Sequence, residues 1–192
     1  MDLIPAQKAE LRSRLRKERR TLDREVLAAE SAALCKNLLA LPELNEAKTV
    51  FCYVSCGGEV QTHELIETLL AQGKTVAVPR CRRGGMMDCV PIVSLEELRP
   101  AAMGILEPTD DTPTIPWAQI DFAVVPAAAC SEKGERLGQG GGYYDRFLEK
   151  TGCPFAAVCL EQFLLPSLPC EAHDQFMKII VTQQRVLRFE DV

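Results

Sequence analysis

The chain has 192 residues, 47% of them hydrophobic and 26% charged, which is the balance of a globular domain with a core of its own. No apolar run is long enough to span a bilayer and the N-terminus lacks the apolar core of a signal peptide, so we expect a cytoplasmic protein with no membrane partner. The net charge of −5 argues against a generally basic, nucleic-acid-binding surface.

Charge is nevertheless unevenly distributed. Eight basic residues and only three acidic ones lie between Lys8 and Arg24, which predicts a local anionic partner for this segment. The nine cysteines include no CxxC pair, so we expect reduced, mostly buried thiols, and neither a zinc ribbon nor a disulfide scaffold. His63 and His173 are too few for a histidine-rich metal centre.

Two helices are predicted first. Residues 7–20 contain neither Gly nor Pro, and Leu11 and Leu15 lie four apart on one face. Lys8, Arg12 and Arg16 repeat at the same spacing and form a separate basic stripe. A second helix is expected over about 23–40, with Asp23 as its N-cap.

Short β-rich runs then alternate with helical patterns. The predicted strands are 49–54, 74–79, 87–93, 122–126, 155–160 and 178–182. Helices are predicted at 62–73, with Thr62 as N-cap, and at 143–150, before Gly152. Ser94 and Glu97 have capping-box spacing. The alternation predicts a single α/β domain over 1–192: three layers, a mostly parallel sheet with helices on both faces, and an N-terminal helical extension.

The stretch ERLGQGGGYYDRF, at 135–147, carries the main functional signal. Several glycines before a helix can direct free N–H groups at a phosphate, and without Cβ atoms a ligand can approach the backbone closely. The stretch matches neither the Walker A nor the dinucleotide pattern, and a flexible connection is the structural alternative. Arg136 is placed to clamp phosphate, and Asp145 either stabilises the helix start or holds Mg²⁺.

The longer segment DFAVVPAAACSEKGERLGQGGGYYDRF, at 121–147, resembles the signature of the 5-formyltetrahydrofolate cyclo-ligase family. Four further segments agree in order: KAELR at 8–12, YVSCGGEVQT at 53–62, GKTVAVPR at 73–80 and CEAHDQFMKIIVT at 170–182. Two departures stand out. Ala127 replaces the usual glycine, and the last segment is one residue shorter, with Met177 where an aspartate is usual.

The resemblance implies an enzyme that cyclises 5-formyltetrahydrofolate to 5,10-methenyltetrahydrofolate, releasing ADP and phosphate, through phosphorylation of the formyl oxygen. It implies ATP as co-substrate and Mg²⁺ as cofactor, small molecules as the only partners, and a monomer. Arg136 and Tyr144 are the expected catalytic residues. The expected ATP-binding residues are Lys8, Ala9, Glu10, Leu11, Arg12, Arg136, Leu137, Gly138, Gln139, Gly140, Gly141, Gly142, Tyr143 and Tyr144.

For the folate substrate the resemblance implies Val54, Glu59, Met87, Gly140 and Tyr143, with Glu59 hydrogen-bonded to the pteridine. Asp145 and Asp174 are the implied metal ligands. On the residues alone, Glu59 also fits a solvent-exposed position, and a solvated basic helix accounts equally well for Arg16, Arg19 and Arg20. The functional alternatives are a sugar-phosphate isomerase or acyl-transfer enzyme, and a nucleic-acid-binding module that uses the basic helix.

Overall fold

The computed structural model describes residues 3–101, 104–171 and 174–190. His173 and its neighbour Ala172, both in the CEAHDQFMKIIVT segment, lie outside the described residues.

The two helices predicted for the N-terminal segment are α1 (Leu3–Arg20) and α2 (Arg24–Leu39). A short helix that was not predicted, α3 (Pro42–Glu46), follows them. Asp23 is confirmed as the N-cap of α2, since its carboxylate accepts hydrogen bonds from the backbone N–H groups of Glu25 and Val26. These bonds satisfy two of the donors that a helix start leaves open.

The body of the protein is a mostly parallel sheet, which confirms the predicted α/β class. Its strands are β1 (Thr49–Cys52), β2 (Thr75–Arg82), β3 (Met86–Ile92), β6 (Phe122–Pro126), β9 (Phe155–Val158), β11 (Ile179–Val181) and β12 (Val186–Arg188). Within the described residues the strand order is β12-β11-β9-β6-β1-β2-β3, and only the edge strands β3 and β12 run antiparallel to their neighbours. All five side chains of β6 are buried, as expected for a central strand.

Two crossover helices leave the centre of this sheet in opposite directions. Helix α4 (His63–Ala71) connects β1 to β2, and α5 (Tyr143–Thr151) lies between β6 and β9. Because parallel crossovers are right-handed, the two helices lie on opposite faces. Phe51 of β1 packs on the α5 side, with 4.5 Å between its ring centroid and that of Phe147. The connections therefore diverge between β1 and β6, where an open α/β sheet leaves a crevice at the carboxyl ends of its strands.

Several very short strands were not predicted. They are β4 (Arg99–Pro100), β5 (Leu106–Glu107), β7 (Ala129–Ser131), β8 (Arg136–Leu137) and β10 (Leu164–Leu165). Strands of two or three residues have no detectable period in the sequence. The most important pairing joins β7 to β8 as a hairpin, because it places Arg136 beside the end of β6.

Thr62 and Ser94 occupy N-cap positions, and the Ser94 hydroxyl accepts a hydrogen bond from Glu96 N–H, but two side-chain details differ from the prediction. Thr62 is the N-cap residue of α4 as predicted, but its side chain makes no capping bond: its hydroxyl donates to the Tyr53 carbonyl, 2.8 Å away, and accepts from Ser55 N–H. Ser94 and Glu97 do not form a reciprocal capping box, because the Glu97 carboxylate accepts from Val93 N–H. In the first case a buried loop carbonyl competes for the hydroxyl group.

Helix α1 is held against the sheet by one of its arginines. A guanidinium nitrogen of Arg19 donates to the Ala127 and Ala128 carbonyls at 2.7 and 2.8 Å, and the same group lies 4.8 Å from the centre of the Phe163 ring. The solvated role considered for Arg19 is therefore wrong. Leu15 is buried below it. These contacts place the basic face of α1 beside the carboxyl end of β6.

The nine cysteines are all free thiols in the structure, as predicted. None of the helices in the described part of the chain has the length and apolar character needed to cross a membrane.

We predict that Arg19→Met lowers the free energy of unfolding by about 1.5–3 kcal/mol, because two charge-assisted hydrogen bonds to carbonyls are lost. Urea denaturation measures the change. Arg20→Met is the matched control: Arg20 is the exposed neighbour on α1, and its loss is expected to change stability by at most about 0.5 kcal/mol. Equal stability of the two variants would contradict the anchoring role.

Candidate active site

A pocket of about 450 Å³ lies where the two crossovers diverge. Its walls include Tyr53 and Val54 after β1, Pro79 and Cys81 of β2, and Pro126, the last residue of β6. It therefore lies at the carboxyl ends of parallel strands, where open α/β sheets bind their ligands. Side chains of α1, the loop before α5 and residues 171 and 174 complete the enclosure.

Helix α1 brings two cations to this pocket. Lys8 is only 6% exposed, and its ammonium group lies 2.7 Å from a Glu171 carboxylate oxygen and 2.6 Å from one of Asp174. Burial opposes the charged form of Lys8, but the hydrogen bonds that Lys8 donates to Asp174 and Glu171, together with the negative charges of these two groups, outweigh burial and raise its pKa, so the ammonium form persists. Arg12 donates through Nε to the Gly138 carbonyl at 2.8 Å, joining α1 to the glycine-rich loop.

The loop before α5 presents unpaired backbone donors. Within the described residues, the N–H groups of 139–145 donate to no carbonyl and to no side chain. Helix α5 begins after Gly142 without a side-chain cap, so the N–H groups of its first turn are also open. Residues 138–145 all line the pocket. This arrangement can bind a polyanion.

Two of the loop's glycines are required by the protein's own packing. A Cβ on Gly141 would lie 2.7 Å from the Tyr143 ring. A Cβ on Gly142, where φ is +66°, would lie 2.8 Å from the Arg146 guanidinium. At these two positions, therefore, side chains of the protein fill the space that we expected a ligand to occupy.

Arg136 is a buried cation fixed from two sides. One guanidinium nitrogen donates to the Pro126 carbonyl at 3.0 Å, and another donates to the Asp145 carboxylate in a short ion pair. Its Nε is buried and has no partner among the described residues. Because the β7–β8 hairpin places Arg136 at the end of β6, its charge lies in the pocket wall beside the loop.

Glu59 and two apolar side chains form another part of the wall. Val54 and Met87 are 5% and 3% exposed. The Glu59 carboxylate is half-buried and accepts from Cys56 N–H at 3.1 Å. Burial raises the pKa of Glu59, and the hydrogen bond from Cys56 and the charge of Arg19 only partly oppose that shift. Glu59 is thus not an ordinary solvent-exposed glutamate, which was the alternative to a substrate-binding role.

The two tyrosines nearest the β1 end have different environments. Tyr53 donates its hydroxyl to the Val60 carbonyl at 2.7 Å and is part of the core. Tyr144 lines the pocket, and its hydroxyl makes no hydrogen bond within the described residues. Burial raises the pKa of Tyr144 well above its ordinary value. Its phenol therefore stays protonated at neutral pH and can donate a hydrogen bond to a bound ligand.

The pocket brings together nearly all of the predicted site residues. Lys8, Arg12, Val54, Glu59, Met87, Arg136, Asp174 and residues 138–145 line it. Four do not. Ala9 and Glu10 are exposed, Leu11 borders a separate groove with Glu10 and Leu168, and Leu137 is buried in the core. A helix presents only one face to a pocket, which separates Lys8 and Arg12 from the residues between them.

The charge of the wall bears on metal binding. Among the described residues it carries three cations, Lys8, Arg12 and Arg136, and five carboxylates, Glu59, Glu107, Asp145, Glu171 and Asp174. No three His, Cys, Asp or Glu side chains of the described chain are grouped as a ready-made metal centre. Magnesium usually takes one or two protein carboxylates and completes its shell with phosphates and water. Asp145 and Asp174 fit that requirement.

Sequence reasoning missed several wall residues. Glu171 shares Lys8 with Asp174, and its backbone N–H donates to the Asp174 carboxylate at 2.7 Å. Cys81 and Glu107 meet through a hydrogen bond from Cys81 N–H to the Glu107 carboxylate. Tyr53 and Pro126 could have been found from their positions at strand ends. Glu107 follows a segment without regular periodicity, so no predicted strand end marked it as a wall residue.

Known proteins resemble this chain both in sequence and in fold. The model of the 5-formyltetrahydrofolate cyclo-ligase family matches residues 4–183. The 5-formyltetrahydrofolate cyclo-ligase of Mycolicibacterium smegmatis is 32% identical, over 95% of this chain and 97% of the relative. That of Escherichia coli K12 is 31% identical, over 90% and 98%. The solution structure of Aquifex aeolicus 5,10-methenyltetrahydrofolate synthetase superposes with a TM-score of 0.85 at 31% identity, covering 96% of this chain and 94% of that one.

We predict that Glu59→Gln raises the melting temperature at about pH 7, because it removes a carboxylate whose burial opposes ionisation. The folded-state pKa is raised, so the destabilising effect is absent below the unfolded value of about 4.3 and grows as pH rises through the folded value. The gap between variant and wild type is therefore expected to close on acidification. Glu67→Gln is the control, at an exposed glutamate of α4. A pH-independent gap would contradict the assignment.

Proposed function

Because the chain belongs to the 5-formyltetrahydrofolate cyclo-ligase family, we propose that its pocket holds ATP and 5-formyltetrahydrofolate side by side and uses the γ-phosphate of ATP to drive ring closure to 5,10-methenyltetrahydrofolate. The protein is a ligase of folate one-carbon metabolism. The observation that carries the proposal is the row of open N–H groups at 139–145, flanked by Lys8, Arg12 and Arg136, in the same pocket as the apolar wall at Val54 and Met87.

The nucleotide phosphates bind at the glycine-rich loop and the start of α5. Open N–H groups and the positive end of the helix dipole favour oxygen anions there. Arg12 and Arg136 lie at the loop, and Lys8 reaches the pocket from α1. Lys8 is buried and Arg12 half-buried, which supports the phosphates of a small molecule, and not a nucleic acid, as their partner.

The carboxylates of Asp145 and Asp174 would hold Mg²⁺ together with the phosphates. A wall with more carboxylates than cations repels a polyphosphate, and a divalent ion would reverse that balance. When bound, Mg²⁺ neutralises charge on the phosphate oxygens during transfer. Both carboxylates pair with cations in the structure, Asp145 with Arg136 and Asp174 with Lys8. Nucleotide binding would thus move the cations from carboxylates to phosphates.

The folate would occupy the part of the pocket lined by Val54, Glu59 and Met87. Val54 and Met87 provide an apolar surface for its aromatic rings, and Glu59 provides a carboxyl group that can hydrogen-bond the pteridine. Because the pKa of Glu59 is raised by burial, a ligand that donates hydrogen bonds to this group relieves an existing cost. Gly140 and Tyr143 border both reactants.

The reaction requires positioning and charge stabilisation more than a protein nucleophile. The formyl oxygen attacks the γ-phosphorus, the bond to ADP breaks, and an iminium phosphate results. N10 then attacks the formyl carbon, loses its proton, and phosphate departs with the former formyl oxygen. The open N–H groups and Arg136 stabilise the transferring phosphoryl group, and the protonated Tyr144 can donate to the oxygen that accepts it.

The proposed reaction is tested by following methenyltetrahydrofolate absorbance with 5-formyltetrahydrofolate, ATP and Mg²⁺ present and each omitted in turn. We expect product only in the complete mixture and one ADP for each product molecule. ADP release that does not depend on the formylated substrate would contradict the proposal and favour a different phosphate chemistry.

We predict that Arg136→Ala weakens ATP binding about 10- to 150-fold, the loss expected from removing charge-assisted hydrogen bonds worth about 1.5–3 kcal/mol. Titration calorimetry with ATP and Mg²⁺, without folate, measures the affinity. Arg136→Lys keeps the charge and is expected to retain part of the binding. Arg14→Ala, on the exposed side of α1, is the control. Unchanged ATP affinity in a folded Arg136→Ala protein would refute the assignment.

We predict that Asp145→Asn keeps the fold, lowers kcat and raises the Mg²⁺ concentration needed for half-maximal rate, because one metal-binding charge is removed. A residue that only stabilised the helix start would cost at most about 1 kcal/mol of stability and leave the metal dependence alone. Rates measured across a Mg²⁺ series separate the two roles. Glu149→Gln, an exposed position on the same helix, should match the wild type.

A further inference from the structure

Arg146 of α5 links two neighbouring segments that are far apart in the sequence. Its Nε donates to the Gly85 carbonyl at 2.9 Å, and a terminal nitrogen donates to the Gly141 carbonyl at 2.6 Å. Gly85 lies in the turn between β2 and β3, and Gly141 in the loop before α5. Arg146 does not itself line the pocket, so its guanidinium acts behind the wall.

The two segments are shaped to receive this guanidinium. A Cβ on Gly85 would lie 1.6 Å from one terminal nitrogen of Arg146, and a Cβ on Gly142 would lie 2.8 Å from the other. Both glycines have positive φ, +73° and +66°. Neither position has room for a side chain while the guanidinium is in place, so Gly85, Gly142 and Arg146 form one interlocking unit.

This unit connects the segment that forms part of the nucleotide wall to the turn that precedes part of the folate wall. Gly141 and Gly142 belong to the nucleotide wall, whereas Met87, which follows the β2–β3 turn, belongs to the folate wall. We propose that Arg146 is a positioning residue that fixes the distance between the nucleotide and folate walls. This proposal rests on the proposed function for the identity of the two substrates, but not for the contact itself.

An arginine suits the role for a geometric reason. Its planar fork can donate from two nitrogens to two carbonyls that belong to segments more than fifty residues apart. A lysine at 146 keeps the charge but is a single point of attachment. A methionine keeps much of the stem and donates nothing. Arginine, lysine and methionine at position 146 therefore differ stepwise in how many hydrogen bonds they can donate to the two segments.

The test compares Arg146→Met and Arg146→Lys with Arg83→Met, which removes an exposed arginine from the same β2–β3 turn. Amide hydrogen exchange of the substrate-free proteins is followed in peptides covering 86–90, where β3 pairs with β2, and 146–149, where the hydrogen-bonded amides of α5 begin with Arg146 N–H on the Gly142 carbonyl. Strand β1 is the internal reference. We expect exchange in both segments to accelerate about tenfold or more in Arg146→Met, less in Arg146→Lys, and not in Arg83→Met.

Kinetics supply the second readout. We expect the KM values of ATP and of 5-formyltetrahydrofolate to rise together in Arg146→Met, by about tenfold, the effect of one charge-assisted hydrogen bond. Faster exchange in only one segment, or a lower melting temperature with both KM values unchanged, would overturn the proposal. If Arg146→Met does not fold, Arg146→Lys tests the proposal instead, through its smaller expected changes in amide exchange and in the two KM values. Lack of turnover in the wild type would refute the proposed function, and the exchange comparison would still decide on Arg146.

Discussion

The handedness of its crossovers is the constraint on which the rest of this molecule depends. The connections from the central pair β1 and β6 lead to strands on opposite sides, and because parallel crossovers are right-handed as a rule, α4 and α5 cover different faces. Nothing can then close over the carboxyl ends of the two strands from within the sheet. The pocket opens there, between Val54 and Pro126, and the remaining walls are supplied by segments distant in the chain.

Charge inside this crevice is balanced by pairs that each join a different wall. Lys8 comes from α1 and meets Glu171 and Asp174, more than 160 residues away, while Arg136 of β8 meets Asp145 of α5. Half-buried ion pairs contribute little net stability, because desolvation offsets much of their attraction. Their consequence is an arrangement in which cations and carboxylates are kept adjacent and neutralise each other. Under the proposed function, phosphates and Mg²⁺ would replace these partners.

The glycine-rich loop combines two different uses of the missing side chain. Its backbone N–H groups remain open toward the pocket, which is the property that the proposed phosphate binding needs. The space beside Gly141 is filled by the Tyr143 ring, which also lines the pocket, and the space beside Gly142 is filled by Arg146, which does not. The same run of glycines therefore allows the loop to be held tightly from behind while its donors stay available in front. Flexibility in isolation becomes rigidity in the folded protein, as dense packing requires.

Local patterns in the sequence were sufficient for the longer helices and strands and for the chemistry of the loop. Periodicity located α1, α2, α4, α5 and the longer strands, and the segment at 121–147 identified the family, because these signals depend on neighbours a few residues apart. Tertiary structure alone decided which side chains meet. Arg19 binds carbonyls more than a hundred residues away, Glu59 is half-buried, and Arg146 reaches a turn sixty residues earlier. Such contacts are selected by how the layers pack, and packing leaves no period in the sequence.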